Sequence, residues 1–137
     1  GKKMKTITVN IVTPDGPVYD SEVSMVIAVT ATGEMGVLPG HISSVNTIGI
    51  GAVRLKKENS TELVAVSGGF LEIRPEKVTI LAQSAETATE IDLARAQESA
   101  KRAEALLQAR KDEIDYKRAE LALRRATNRI NVYEGNI

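Results

Sequence analysis

Apolar side chains recur at every second position in Ile7, Val9 and Ile11, and again in Val78 and Ile80. That period places them on one face of a half-buried strand, and both segments are expected as outer strands of a sandwich. Between them, turn-forming residues cut the chain into further strands at Val18 to Val29, Ser44 to Ile50, Ala52 to Lys56, Glu62 to Val66 and Gly69 to Arg74. Thr13-Pro14-Asp15-Gly16-Pro17 reads as a turn, Lys57-Glu58-Asn59-Ser60 as a hairpin loop and Pro75-Glu76 as a second turn. Short strands at this spacing predict a β-sandwich or flattened barrel.

Past residue 86 the period changes. Leu93, Ala96, Ala100, Ala103 and Leu107 are spaced 3, 4, 3, 4, and Tyr116, Ala119, Leu123, Ala126, Ile130 and Tyr133 continue in the same manner. These are two a/d seams, predicting a C-terminal antiparallel two-helix hairpin after the N-terminal β-sandwich. Thr89, three residues ahead of Asp92, is expected to cap the first helix in a capping box, and Lys111-Asp112-Glu113 lies between the seams. No Gly or Pro forces that break, so a single long helix in some state stays open. The expected division is a sandwich over residues 4–85, a linker over 86–90 and the hairpin over 91–135. Five of the eleven seam positions are Ala, which bury far less than Leu. The hairpin either docks permanently on the sheet, the reading the seam alone favours, or leaves its dock for another partner.

Composition separates the same two parts. Residues 1–85 hold nine of ten Gly, all four Pro and twelve of thirteen Val, whereas residues 86–137 hold ten Ala and one Val. Charge is dense only on the helices, yet each part is neutral, with 8 basic against 8 acidic residues in the first and 10 against 10 in the second. Zero net charge argues against nucleic acid as a partner. One His and no Cys remove thiol nucleophiles, disulfides and two-His metal motifs. No apolar run reaches the length of a transmembrane segment and no signal-like start is present, so a cytosolic or peripheral protein is expected. Gly1-Lys2-Lys3 ahead of Met4 reads as a tag remnant.

The heptads place Asp92, Arg95, Arg102, Arg125 and Arg129 along one flank of the hairpin. A planar guanidinium fork suits polyphosphate, and Asp92 can accept from a ribose hydroxyl, an exocyclic amine or Arg95. The competing reading is a solvated face laced with ion pairs such as Glu98 to Arg102 and Glu120 to Arg124, which on the residues alone is the stronger. No Gly-x-x-x-x-Gly-Lys-Ser/Thr loop occurs, so any nucleotide is sensed, not cleaved. The lone His41 closes the Gly- and Pro-rich loop Gly33-Glu34-Met35-Gly36-Val37-Leu38-Pro39-Gly40-His41, a shape suited to partner contact. Ser67-Gly68-Gly69-Phe70 is expected as a bulge or close backbone approach.

Together Val12-Thr13-Pro14-Asp15-Gly16, the Gly33 to His41 loop, Val66-Ser67-Gly68-Gly69-Phe70-Leu71-Glu72-Ile73, Val78-Thr79-Ile80-Leu81-Ala82 and Ala119-Glu120-Leu121-Ala122-Leu123 resemble the epsilon subunits of bacterial rotary F-type ATP synthases. The resemblance implies a non-catalytic subunit whose sandwich binds the gamma subunit and the ring of c subunits. Glu34 and His41 are then c-ring contacts. The helices either fold on the sandwich or extend toward the alpha and beta subunits and inhibit ATP hydrolysis. It also implies a peripheral place on the cytoplasmic face of the bacterial plasma membrane. Within the family, a Bacillus-type subset binds ATP through an Ile/Leu-Asp-x-x-Arg-Ala motif, which reads Ile91-Asp92-Leu93-Ala94-Arg95-Ala96 here. Glu86, Arg102, Arg125 and Arg129 match the further positions. The resemblance turns the arginine flank into an expected regulatory ATP site, with Mg²⁺ left open. Two rivals are a constitutive coupling subunit with no nucleotide switch and an enzyme acting on a small anion with Asp92 or Glu86 as general base.

Overall fold

The computed structural model describes residues 5–109 and 112–136, so Gly1 to Met4 and Lys111 of the expected break lie outside the described residues. Seven strands are followed by two helices: β1 Ile7–Thr13, β2 Gly16–Val23, β3 Met25–Thr30, β4 Gly33–Val37, β5 Ser44–Lys56, β6 Thr61–Ile73, β7 Lys77–Thr87, α1 Leu93–Ala109 and α2 Glu113–Glu134. The strands form one sheet in the order β2-β1-β7-β6-β5-β3-β4. In a flat sheet, strands at opposite ends of that order would stand tens of ångströms apart at about 4.8 Å per strand. Yet Ile7, Val9 and Val23 from one end share a single buried cluster with Val26, Ala28 and Val37 from the other. The sheet therefore folds over on itself as a sandwich.

The alternation of Ile7, Val9, Ile11 and of Val78, Ile80 does bury one face, each side chain being fully inaccessible. The two strands are not outer ones, however. They pair with each other in parallel and lie inside the order, while the edges are β2 and β4. Three further boundaries differ from the sequence reading. Val18 to Val29 breaks at Ser24, whose N–H and Oγ both donate to the Lys56 carbonyl at 2.7 and 2.8 Å. Gly33–Val37 is a strand paired to β3, leaving only Leu38 to His41 as loop. Two of its five residues are Gly and only Val37 is buried, so an edge strand of this kind carries little hydrophobic period.

The third difference joins segments read as separate strands into the continuous β5 and β6. Along β6 the core faces with Val64 and Val66, then with Leu71 and Ile73, so the alternation changes phase between them. Gly68 and Gly69 occupy that point with φ of 72° and 128°. A Cβ on Gly69 would stand 2.0 Å from the Leu81 carbonyl oxygen. The Gly pair is thus a close backbone approach, as its sequence predicts.

The helices pack through small residues: Ala96 and Ala103 of α1, Ala119 and Ala126 of α2, all buried. Of the predicted seam, Tyr116 and Tyr133 are largely exposed, and Val132 is buried in place of Tyr133. Thr89 does not cap α1. Thr87 and Glu90 instead form a capping box around a 3-10 turn at Ala88–Glu90, and the Arg95 N–H donates to Asp92 Oδ1 at 3.1 Å. The N-cap is therefore the residue immediately before the helix, as cap geometry requires. At its far end α2 closes with Gly135 at φ 74° and the Asn136 N–H on the Asn131 carbonyl at 2.9 Å, a Schellman closure.

Asp112 caps α2, its Oδ1 accepting from the Asp115 N–H at 2.8 Å. That backbone bond holds its carboxyl below the ordinary value of 3.8. A depressed folded-state pKa means stability fully present above the unfolded value and lost as pH falls through the folded one. Helix content followed by circular dichroism should therefore drop as the solution is acidified below about pH 3.8, and Asp112→Asn should remove that component of the acid loss. An unchanged acid profile in the variant refutes the assignment.

Candidate functional site

The hairpin meets the sandwich along α2, which lies against β5 and β6. Its anchor is a second, small apolar cluster of Ala52, Ala65, Ile91 and Val132, separate from the sandwich core. Asn128 adds a polar tie, Nδ2 donating to the Gly51 carbonyl at 2.8 Å and, more weakly, to Val66 at 3.5 Å.

Beside this anchor is a recess of about 280 Å³ between hairpin and sheet, its polar lining including Ser67, Ser84, Glu86, Ser99, Arg125 and Arg129. Glu86 pairs with Ala65 in the β6–β7 ladder, which fixes its carboxylate on the recess wall. Arg129 Nε stands 2.7 Å from Glu86 Oε1 and its Nη2 donates to Oε2 at 3.3 Å. The Nε proton is not aimed along the shorter line, so the pair is a charge contact with one long hydrogen bond.

Arg125 differs from Arg129. Among the described residues the ion pairs within 4.0 Å are Arg54–Glu34, Lys57–Glu62, Arg74–Glu72 and Arg129–Glu86. Neither Glu98–Arg102 nor Glu120–Arg124 forms within that distance, although Arg95, Arg102, Arg124 and Arg125 are exposed, as a solvated face expects. The recess therefore holds one guanidinium balanced by a carboxylate and one that is not. That arrangement attracts an anion with several acceptor oxygens.

Of the sequence candidates, Glu86, Arg125 and Arg129 line the recess, whereas Ile91, Asp92, Arg95, Ala96 and Arg102 do not. Arg102 Nη2 donates to Ser99 Oγ at 3.3 Å, which brings it to the recess edge. Asp92 and Arg95 are exposed at the start of α1, where the Asp92 carboxylate is engaged as cap. Ile91 belongs to the docking cluster, and Ala96 is fully buried against α2. The motif is thus also the joint between sandwich and helix. Sequence reading missed Ser67, Ser84, Ser99 and Asn128. Ser67 and Ser84 meet only through strand register, so no local signal marks them.

Elsewhere, Leu38, Ile42 and Val45 are exposed, Ile42 at 83%, beside His41, whose Nδ1 lies 2.8 Å from the Ile42 carbonyl. Glu34 sits toward the other end of β4 and is ion-paired to Arg54, so the two do not share one loop. A shallow apolar recess of about 600 Å³ includes Phe70 and Leu81, both about half exposed.

Comparison with known proteins covers both parts. The sandwich matches the model of the ATP synthase delta/epsilon chain β-sandwich domain over residues 6–88. The hairpin matches the long α-helix domain of the same chains over residues 89–134. An ATP synthase epsilon chain of Bacillus velezensis is 61% identical over 129 residues, covering 94% of this chain and 98% of that one. One from Priestia megaterium is 66% identical over 110 residues, covering 80% and 82%. In solved structures, a chain of the Euglena gracilis mitochondrial ATP synthase OSCP/F1/c-ring assembly superposes with a TM-score of 0.79 at 25% identity, covering 99% of this chain and 84% of that one. With both domains matched in order and relatives aligned over nearly their full length, the chain belongs to the ATP synthase delta/epsilon chain family.

Proposed function

We propose that the chain is a central-stalk subunit of a rotary ATP synthase whose helical hairpin is a switch biased by ATP. Family membership makes it a non-catalytic subunit. The sandwich joins the gamma subunit and the c-ring, with Glu34 and His41 as polar contacts beside the exposed apolar Leu38 and Ile42. No helix among the described residues is long and apolar enough to cross a membrane. Attachment to other subunits then holds the chain at the cytoplasmic face of the bacterial plasma membrane. When the hairpin extends toward the alpha and beta subunits it restrains ATP hydrolysis.

The observation that supports the switch is the recess holding Arg125 without a carboxylate partner next to the Arg129–Glu86 pair. Bound ATP supplies polyphosphate charge at that point. Arg125 offers paired N–H donors and Arg129 a second guanidinium one helical turn away. A ligand that binds only the docked hairpin stabilises docking by RT ln(1 + [L]/Kd), about 2.7 kcal/mol at a hundredfold excess over Kd. For Mg²⁺, no group of three His, Asp or Glu side chains gathers among the described residues, and Glu86 already serves Arg129. Arg125 and Arg129 suit the phosphates of the nucleotide, and Mg²⁺ would be carried on those phosphates and not in a protein cage.

Calorimetric titration of the full chain with ATP tests the reading. Arg125 makes no ion pair that holds the fold, so Arg125→Ala should leave the melting temperature close to that of the parent. Its ATP affinity should fall about tenfold or more, the scale of one charge-assisted hydrogen bond. Equal affinity in parent and variant, or no binding by the parent, overturns the site. A constitutive coupling subunit is the rival, and it gains from the docking cluster and the Asn128 tie. Hydrolysis by the whole complex, unchanged when the hairpin is crosslinked to the sandwich, would favour it.

A further inference from the structure

The recess at Arg125 and Arg129, at about 280 Å³, falls at the lower edge of the roughly 300–1,000 Å³ of small-molecule pockets. A second recess of about 440 Å³ opens along the sheet beside Gly49, Gln83, Leu121 and Arg124. Three residues line both: Ser67, Ser84 and Arg125. Ser67 and Ser84 are register partners across β6 and β7, and their hydroxyls are hydrogen-bonded to each other. Two hydroxyls carry two protons and their mutual bond uses one. The other has no protein acceptor among the described residues and, with Ser84 exposed and Ser67 half-buried, is open to water or to a ligand oxygen. Arg124 and Arg125 likewise have no carboxylate within 4.0 Å there.

We propose that Ser67, Ser84 and Arg125 form a phosphate-binding junction between the two recesses, so that the polyphosphate of the nucleotide is gripped by sandwich and hairpin together. This rests on the nucleotide reading of the same cavity and adds a requirement to it. A ligand held by hairpin side chains alone would travel with the hairpin when it undocks and would not bias docking. Of the sandwich groups in the first recess, Glu86 repels phosphate. The serine pair is what the sheet offers to it: an O–H donor backed by the Arg125 charge from α2.

The test is titration of the full chain with ATP and, separately, with inorganic tripolyphosphate, for the parent, Ser67→Ala/Ser84→Ala and Ser84→Thr. The double variant should lose about tenfold in affinity for both ligands while its ligand-free melting temperature stays that of the parent. Ser84→Thr, which keeps a hydroxyl on a strand, should bind as the parent does. ATP should also protect hairpin amides from exchange in the parent and much less in the double variant. Undiminished binding by the double variant overturns the junction and leaves the nucleotide reading standing. Loss for ATP without loss for tripolyphosphate, or a parent that binds ATP but not tripolyphosphate, also overturns it, because the serines then do not read phosphate. A parent that binds neither ligand removes the nucleotide reading and the junction with it.

Discussion

Gly69→Ala should leave the sandwich unfolded or lower its melting temperature by about 20 °C or more. The added Cβ would meet the Leu81 carbonyl oxygen at 2.0 Å and the Leu81 carbonyl carbon at 2.9 Å. These are backbone atoms of the neighbouring strand, so no rotamer change relieves the contact. The φ of 128° adds conformational strain for any residue with a side chain. A clash of this kind belongs to the class costing more than about 4 kcal/mol, out of a total stability of about 5–15 kcal/mol. Gly68→Ala is the control. Its Cβ would meet the end of the flexible Gln83 side chain at 3.0 Å, with φ 72°, so its cost is mainly the left-handed backbone, about 1–2 kcal/mol. Thermal and urea unfolding of both variants decide the matter. Similar losses in the two would mean that the approach of β6 to β7 is looser than the structure has it.

The same glycines explain why part of the fold was legible in the sequence and part was not. Strands that keep one phase, such as Ile7-Val9-Ile11, declare themselves because every second side chain enters the same core. β6 changes phase at Gly68-Gly69, and read locally it becomes two strands separated by a gap. β4, with two Gly and an exposed Glu34, has one buried residue in five, and its identity as a strand comes from pairing with β3. The helices were legible because the Ala seam repeats. Their docking was not: Ile91, Val132, Ala52 and Ala65 come from four separate segments and share no period.

The candidate site divides along the same line. Arg125 and Arg129 lie one turn apart on α2, and that spacing predicts a shared flank. Glu86 was reachable only through resemblance, because its approach to Arg129 depends on how α2 docks on the sheet. The serine pair depends on strand register alone. Asp92 shows the converse. Its place three residues before Arg95 suits an N-cap as well as a ligand, and the Asp92 carboxylate does accept the Arg95 N–H. A variant at Asp92 therefore disturbs the helix start together with any ligand, which makes Arg125 the cleaner probe of binding.

Val132→Asn should release the hairpin while leaving the sandwich folded. Val132 is 1% exposed and packs in a cluster of only four buried residues, whereas seventeen form the sandwich core. Burying one Val or Ile side chain contributes about 1.5–3 kcal/mol, so this cluster supplies much of the docking free energy. Asparagine removes that contribution and brings a primary amide among Ala52, Ala65 and Ile91, whose side chains offer it no hydrogen-bond partner. An unpaired buried amide costs about 1–3 kcal/mol more. The Asn128 tie and the Glu86–Arg129 pair are left to hold the hairpin, and a partly exposed ion pair contributes about 1 kcal/mol or less. Amide exchange should speed across α1 and α2 and stay slow at Val9, Val64 and Ile80, and ATP at saturating concentration should restore part of the hairpin's protection. Exchange that rises equally in both parts would mean that sandwich and hairpin unfold as one unit. Exchange that rises in neither would mean that the hairpin is held by more than this cluster, as the constitutive rival requires.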